Sequence, residues 1–195
     1  FIGLIYMLKL EWAWIDDFII KRPWENLLNF SSTDYFNIFY TKGLCDEKFI
    51  KECIKPLLLA SNIDINITLE EFYKINNIDW HIFTSNINQF IKVDLNHKTH
   101  PNLTIIEALS MTVAIPIITK PPFYNNEYYL DGGLFCNHPI KECLDNEKCH
   151  EEELLAFINN NNTIDLENIL NYQNDTNNSN NNNSNNNNSN NNNSN

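Results

Sequence analysis

Glycine is the residue that most limits what this chain can fold into, because only four glycines occur among its 195 residues. They are Gly3, Gly43, Gly132 and Gly133. The Gly-x-Gly-x-x-Gly turn of dinucleotide-binding folds, the phosphate-binding P-loop and the Gly-x-Ser-x-Gly nucleophile turn all need glycine spacings that these positions do not provide. Any site within these residues must therefore be built without those motifs.

The charge and composition of the chain limit the kinds of partner that it can bind. The chain has 13 Lys and Arg against 25 Asp and Glu, which gives a formal net charge of −12. A nucleic-acid binder needs a basic face that neutralises phosphates, so we expect no nucleic-acid partner. Hydrophobic residues make up 43% of the chain, which is enough to build a packed core.

The last part of the chain is a low-complexity segment. After Thr176 the sequence contains only Asn and Ser, and Ser recurs every five residues from Ser179 to Ser194. Such a segment has no apolar group to bury and therefore nothing that offsets the entropy lost on ordering. We predict a folded domain over residues 1–158 and a disordered Asn-rich tail over residues 159–195.

The opening segment, residues 1–20, has an apolar helical pattern that resembles a membrane span. Lys9, Glu11, Asp16 and Asp17 interrupt it, whereas a span needs about 20 mostly uncharged residues. We interpret the segment as an amphipathic core helix. No capping residue precedes it, so we expect the domain to be incomplete at its N-terminus.

Cysteine usage suggests a reducing compartment. The chain has five cysteines, an odd number, and no signal-peptide pattern, which favours free thiols and a cytoplasmic protein. Several cysteines and histidines cluster in sequence, but they include no Cys-x-x-Cys pair of the kind that zinc sites use. We predict no metal and no other cofactor, with a zinc-binding module as a distant alternative. The clustered residues are Cys136, His138, Cys143, Cys149 and His150.

Helical and β-rich patterns alternate along the chain, which is typical of a layered α/β fold. Residues 80–86 and 90–95 predict a hairpin, and residues 127–130 predict a strand that leads into Asp131. Residues 27–40 are apolar and aromatic, and they predict short helices that cover a core. Helix-capping residues are predicted at Asp46, Thr68 and Thr104.

Asp131-Gly132-Gly133 is the sharpest local feature of the sequence. It places a carboxylate at the end of a predicted strand, and carboxyl ends of strands are where sites form in α/β sheets. The two glycines permit backbone angles that other residues avoid, and they leave the acid uncrowded. On its own, the tripeptide is more typical of a plain turn.

The residues around this tripeptide form a longer pattern. Residues 106–116 end in Ala-Ile-Pro, residues 121–123 read Pro-Pro-Phe, and residues 128–134 run from two tyrosines into Asp-Gly-Gly. Residues 137–139 then read Asn-His-Pro. This block resembles the C-terminal half of the patatin-like phospholipase family, and the resemblance extends over residues 1–158. Weaker matches are residues 1–5, which resemble the helix that directly follows the family's nucleophile turn, and residues 42–46, 68–69 and 80–86.

The resemblance implies a three-layer α/β/α sandwich with a mainly parallel central sheet. It implies a lipid acyl hydrolase that uses a Ser–Asp dyad on phospholipid or glyceride esters, with peripheral membrane contact. Asp131 would be the base, and Gly132, Gly133 and Asn137 would form the site loop. Because the family's nucleophile turn and glycine-rich oxyanion turn are missing, we expect the serine to precede Phe1 and this chain alone to be inactive.

Some alternatives stay open from sequence. We interpret Ser110 and His81 as packed residues rather than catalytic ones, and His138 as a minor candidate for lining the cleft. Asn137 either bonds the loop that holds Asp131 or forms a simple Asx turn. The competing function is a non-catalytic, patatin-derived scaffold that binds lipid or protein partners.

Overall fold

The structure is a computed structural model that describes residues 2–136 and 139–147. Within these residues, helices and strands alternate. The helices are α1 (Ile2–Leu8), α2 (Trp12–Lys21), α3 (Ser32–Thr41), α4 (Glu47–Ala60), α5 (Leu69–Asn76), α6 (Ile105–Thr112) and α7 (Ile140–Glu147). The strands are β1 (Gly43–Cys45), β2 (Ile82–Asn86), β3 (Ile91–Leu95), β4 (Ile117–Thr119), β5 (Phe123–Tyr124) and β6 (Glu127–Asp131). Short 3-10 helices cover Trp24–Asn26 and Gly132–Leu134.

The predicted alternation of helices and strands is confirmed, and the chain is a mixed α/β protein. The predicted end of the domain at residue 158 and the predicted tail at 159–195 lie outside the described residues.

The described strands form two sheets. In the smaller sheet β1 and β4 run parallel, with Gly43 opposite Ile117. The larger sheet has the order β3-β2-β6-β5, and its neighbours are antiparallel. In this sheet Thr84 of β2 pairs with Val93 on one side and with Asp131 on the other. The register therefore sets Asp131 directly beside a central strand.

The prediction of a mainly parallel sheet is wrong for the described residues, in which β1–β4 is the one parallel pair. Short connections explain two of the antiparallel pairs, β2–β3 and β5–β6, since parallel neighbours need a long crossover. Only Asn125 and Asn126 join β5 to β6, and both have positive φ, 50° and 66°, as a two-residue hairpin turn requires. Residues 87–90 join β2 to β3, so these strands form the predicted hairpin.

The predicted helix caps are confirmed, and two of them are reciprocal capping boxes. Thr104 accepts a hydrogen bond from the backbone N–H of Glu107 at 3.2 Å, and the Glu107 carboxylate accepts from the Thr104 backbone N–H at 2.9 Å. Thr68 and Glu71 repeat this arrangement at the start of α5. The Asp46 side chain accepts from the Phe49 backbone N–H and caps α4. Each pairing satisfies backbone donors that a helix start leaves open.

The core lies where α4 packs against α6 and α6 packs against β2. Two hydroxyls join α6 to this strand: Thr112 donates to the Phe83 carbonyl at 2.6 Å, and the Thr84 hydroxyl, which donates to the Leu130 carbonyl of β6, lies 3.2 Å from the Met111 carbonyl. Because α6 is buried over most of its surface, it fixes the position of β2 and of β6 beside it. The fully or nearly fully buried side chains of the two helices include Ile54, Leu57, Leu58, Ile105, Ala108, Leu109 and Met111.

The opening segment is broken where sequence analysis predicts one helix. Lys9 has a positive φ of 50° and separates α1 from α2. The amphipathic interpretation holds for α1, whose Leu4, Met7 and Leu8 are buried in the core. Among the described residues, no helix combines the length and apolar character needed to cross a membrane.

Helix α3 corrects another prediction, because it buries none of its residues. Phe36, Phe39 and Tyr40 are 81%, 85% and 88% exposed. An apolar pattern shows that a face is suited to burial, but it does not show whether the rest of the chain covers that face.

The capping box at Thr104 generates a stability prediction. Replacing Thr104 with Ala removes the acceptor for the Glu107 N–H at the start of the most buried helix, so the free energy of unfolding should fall by about 1 kcal/mol. Urea denaturation followed by circular dichroism measures the change. Thr104→Ser keeps the hydroxyl and is the control, and an equal loss in both variants would contradict the capping role.

Candidate active site

A cavity of about 330 Å³ lies at the end of β6, where this strand leads into the second 3-10 helix. Asp131, Gly132 and Gly133 line one part of it. Gly3, in the first turn of α1, lines another part, so the start of the described chain lies at the same cavity as the end of β6. The other walls come from residues 80–83, from Leu109 and Thr112 of α6, and from Cys136 and Pro139.

The backbone of Asp131 is held from two sides. Its N–H donates to the Ala114 carbonyl at 3.0 Å, just after α6. Its carbonyl accepts from the buried Ser85 hydroxyl at 2.8 Å. Because these partners belong to the packed core, the position at which the carboxylate leaves the strand is fixed.

The half-buried Asp131 side chain uses one oxygen to hold the turn that follows it. Oδ1 accepts from the backbone N–H of Gly133 at 2.7 Å and so caps the short 3-10 helix. Among the described residues, no hydrogen-bond donor reaches Oδ2. The carboxylate therefore has one anchored oxygen and one oxygen to which no described residue donates.

Position 132 requires glycine because the structure leaves no space for a side chain there, and not because of its backbone angles. A Cβ at this position would lie 2.2 Å from the Phe83 carbonyl oxygen, closer than any side chain permits. The expectation that the glycines adopt angles closed to other residues is wrong, because none of the four has a positive φ. The absent side chain lets the turn after Asp131 lie directly against β2.

The first turn of α1 approaches the same cavity closely. A Cβ on Gly3 would lie 3.2 Å from the indole nitrogen of Trp80, which is tighter than ordinary contact. Trp80 itself lines the cavity. The small residue at position 3 therefore allows α1 to begin beside the cavity that contains Asp131.

Several other candidates predicted from sequence lie outside the described residues, and Ser110 contributes no described group to the Asp131 cavity. Asn137 and His138, like Cys149 and His150 of the possible zinc cluster, lie outside the described residues. Ser110 is 1% exposed, does not line the Asp131 cavity, and has no hydrogen-bond partner for its hydroxyl among the described residues.

The described cysteines of the cluster do not form a metal site. Cys136 and Cys143 are half-buried, and no group of three potential metal ligands occurs within the described residues. Burial and the nearby Glu142 raise the pKa of Cys136, so this thiol stays protonated at neutral pH.

Sequence analysis treated His81 as a packed residue and missed that it lines the Asp131 cavity. Its Nδ1 lies 2.7 Å from an oxygen of Asp94, on the neighbouring strand β3. Its Nε2 lies 3.4 Å from an oxygen of Asp79. The predicted hairpin could have indicated the contact with Asp94, because it places the start of residues 80–86 beside the end of residues 90–95.

Asp79 is the centre of this charged network. His97 Nδ1 lies 3.1 Å from one of its oxygens, and the Lys98 ammonium pairs with the other. Burial alone would raise the pKa of Asp79, but the hydrogen bond from Lys98 and the charges of His81, Lys98 and His97 bring it below its ordinary value. The network therefore keeps a carboxylate ionised close to the cavity wall.

Comparison with known proteins identifies the class of the chain. The patatin-like phospholipase family profile matches residues 7–144, which is most of the described chain and includes Asp131, Gly132 and Gly133. The chain belongs to the patatin-like phospholipase family.

A curated relative agrees with this assignment. The chain is 24% identical over 139 residues to "Probable lipid hydrolase 463L" of Invertebrate iridescent virus 6. The match covers 70% of this chain and 48% of the relative, so the chain spans about half of that protein's length. No solved structure matches the chain significantly.

The close approach at Gly132 generates a second prediction. Gly132→Ala should lower the free energy of unfolding by about 1–3 kcal/mol, because the added methyl group must displace the turn from β2. Denaturant unfolding measures the loss. Gly133→Ala, at the adjacent exposed glycine, is the matched control, and unfolding midpoints for Gly132→Ala equal to those of the wild type would contradict the argument.

The Asp79 network generates a pH prediction. Because the folded pKa of Asp79 is lowered, its stabilising contribution is present above the unfolded value of about 3.9 and is lost as pH falls through the folded value. Asp79→Asn should therefore be less stable than the wild type at pH 7, and the difference should shrink below about pH 4.

Urea unfolding at a series of pH values tests this expectation. Asp17→Asn removes an exposed carboxylate paired with Lys21 and is the control. A constant difference between wild type and Asp79→Asn from pH 7 to pH 3 would show that the ionised Asp79 contributes no pH-dependent stability.

Proposed function

We propose that the protein acts in the hydrolysis of lipid esters, with Asp131 as the base of a Ser–Asp dyad. The observation that supports this is the single cavity lined by both the Asp131 carboxylate and the first turn of α1. In the resemblance, α1 directly follows the nucleophile turn, so a serine just before α1 would face Asp131. Family membership and the lipid hydrolase relative support a phospholipid or glyceride ester as substrate.

The proposed reaction moves one proton through Asp131. As the serine hydroxyl attacks the ester carbonyl, its proton passes to the carboxylate and the carbonyl oxygen becomes an oxyanion. Collapse of the tetrahedral intermediate breaks the bond to the alcohol oxygen, which leaves with the proton from Asp131. Water then attacks the acyl-serine and gives a proton to Asp131. The second collapse breaks the bond between the acyl carbon and the serine oxygen, releases the fatty acid, and returns the proton from Asp131 to the serine oxygen.

The hydrogen bonds of Asp131 suit this role. Oδ1 is anchored by the Gly133 N–H, which fixes the plane of the carboxylate. Oδ2 is then the oxygen that accepts the proton, since no donor among the described residues competes for it. The proposed dyad needs no metal or organic cofactor.

In this proposal the serine and the oxyanion donors come from a segment that precedes residue 1. The same proposal includes the three-layer α/β/α arrangement, which family membership supports. It places the protein in the cytoplasm with peripheral contact to membranes, supported by the odd number of cysteines in the sequence. The net charge of −12 supports the absence of a nucleic-acid partner.

A non-catalytic lipid-binding or interaction scaffold is the second candidate function. The absence of Gly-x-Ser-x-Gly from the 195 residues favours it, because without a nucleophile the Asp131 cavity can bind but does not turn over an ester. Turnover distinguishes the two candidates.

The dyad generates a prediction about activity. Residues 1–195 alone should not hydrolyse p-nitrophenyl butyrate or phosphatidylcholine vesicles, whereas the chain extended by its own preceding coding sequence should do so. In the extended chain Asp131→Asn should lower kcat/KM by about 10²- to 10⁴-fold, the range expected for removal of a general base.

Asp17→Asn, at an exposed carboxylate remote from the cavity lining, is the control for this variant. Turnover by residues 1–195 that depends on Asp131 would refute the external serine. Full activity of Asp131→Asn in the extended chain would refute the base. An inactive extended chain would favour the scaffold.

A further inference from the structure

A second and larger cavity, of about 670 Å³, lies on another side of α6. Glu107 and Met111 of α6 line it, whereas Leu109 and Thr112 line the Asp131 cavity. Tyr128 of β6 also lines it, and because Tyr128 and Asp131 are three residues apart on one strand, their side chains leave opposite faces of the sheet. The two cavities are therefore distinct sites.

Aromatic rings form much of the wall of this second cavity. Phe123 and Tyr128 pack with ring centroids 4.8 Å apart, and Tyr40 and Tyr124 also line the cavity. The Lys42 ammonium lies 4.9 Å from the ring centroid of Tyr128. The face of Tyr128 is therefore already placed to interact with a cation.

Carboxylates lie beside the rings. Asp46, Glu47 and Glu107 line the cavity together with Lys42 and Lys120, so the charged groups are mainly acidic. Partial burial, and then the charge of Glu107, raise the pKa of Glu47. A cation bound in the cavity would relieve the repulsion between these carboxylates.

We propose that this cavity binds a quaternary ammonium group, namely the choline head group at a phosphatidylcholine surface. A quaternary ammonium has no N–H to donate, so it is recognised by aromatic faces and by nearby negative charge, and this cavity supplies both. Lys42 and Lys120 can meet the phosphate of the same head group. The inference goes beyond the proposed hydrolysis, because the cavity is separate from Asp131 and anchors the protein to lipid without reacting.

The residues around the cavity are of the kind that favours contact with a lipid surface, which would supply the choline head group. Tyr40 and Phe123 are 88% and 57% exposed on its rim. Phe36 and Phe39, on the same helix as Tyr40, are also exposed. Aromatic side chains of this kind favour the membrane interface. A chain with a net charge of −12 is not attracted electrostatically to anionic lipid, which favours a zwitterionic surface.

Binding is tested with residues 1–195 by titration calorimetry, which needs no turnover and so separates this inference from the proposed hydrolysis. Tetramethylammonium and phosphocholine are the probes, and inorganic phosphate tests the anion alone. We expect both ammonium probes to bind and inorganic phosphate to bind much more weakly. Equal binding of inorganic phosphate, or no binding of either ammonium probe, would overturn the proposal.

Two variants test the aromatic wall. Tyr40→Leu should weaken phosphocholine binding by about 2- to 5-fold, the range for an exposed cation–π contact. Tyr6→Leu, at a 72% exposed tyrosine of α1 outside the cavity, is the matched control. Unchanged binding by Tyr40→Leu, or an equal loss in both variants, would contradict the role of the cavity.

The variant Lys42→Gln tests whether the face of Tyr128 binds the ammonium group. Removing the resident ammonium frees the Tyr128 face, so tetramethylammonium should bind more tightly; weaker binding would overturn the proposal. In flotation assays the wild type should associate with phosphatidylcholine vesicles more than with phosphatidylglycerol vesicles, and phosphocholine should reduce that association. The reverse vesicle preference would overturn the choice of a choline surface.

Discussion

The contact between the Gly132 turn and the backbone of β2 is the constraint on which the candidate site depends. A side chain at Gly132 would collide with the Phe83 carbonyl, and the turn would then move away from the strand. The Asp131 carboxylate is bonded to that turn through Gly133, so it would move as well. The position of the acid is thus a consequence of close backbone packing.

β2 holds this arrangement with polar side chains, which is unusual for a buried central strand. Thr84 and Ser85 are fully buried, yet each hydroxyl donates to a carbonyl of β6, at Leu130 and Asp131 respectively. Asn86 is also buried and donates to Glu127. Because each group is satisfied by β6, the register between the two strands is fixed by chemistry as well as by packing.

These features show what sequence could and could not predict. Helix starts follow from local rules, so the caps at Asp46, Thr68 and Thr104 were predictable. Strand direction and register depend on pairing between distant residues. The antiparallel pairing of β2 with β6 was therefore not predictable from local sequence rules. The importance of Gly132 was predictable from sequence, but the predicted reason, its backbone angles, is wrong. Only the neighbouring strand β2 shows that there is no space for a side chain at this position.

Helix α6 connects the two candidate sites physically. It is buried against β2, and its sides carry residues of both cavities: Leu109 and Thr112 toward Asp131, Glu107 and Met111 toward the aromatic wall. The carboxylate of Glu107 is shared between the cap of α6 and the second cavity. A cation bound beside Glu107 would therefore lie at the start of the helix after whose far end the Ala114 carbonyl accepts a hydrogen bond from the Asp131 N–H.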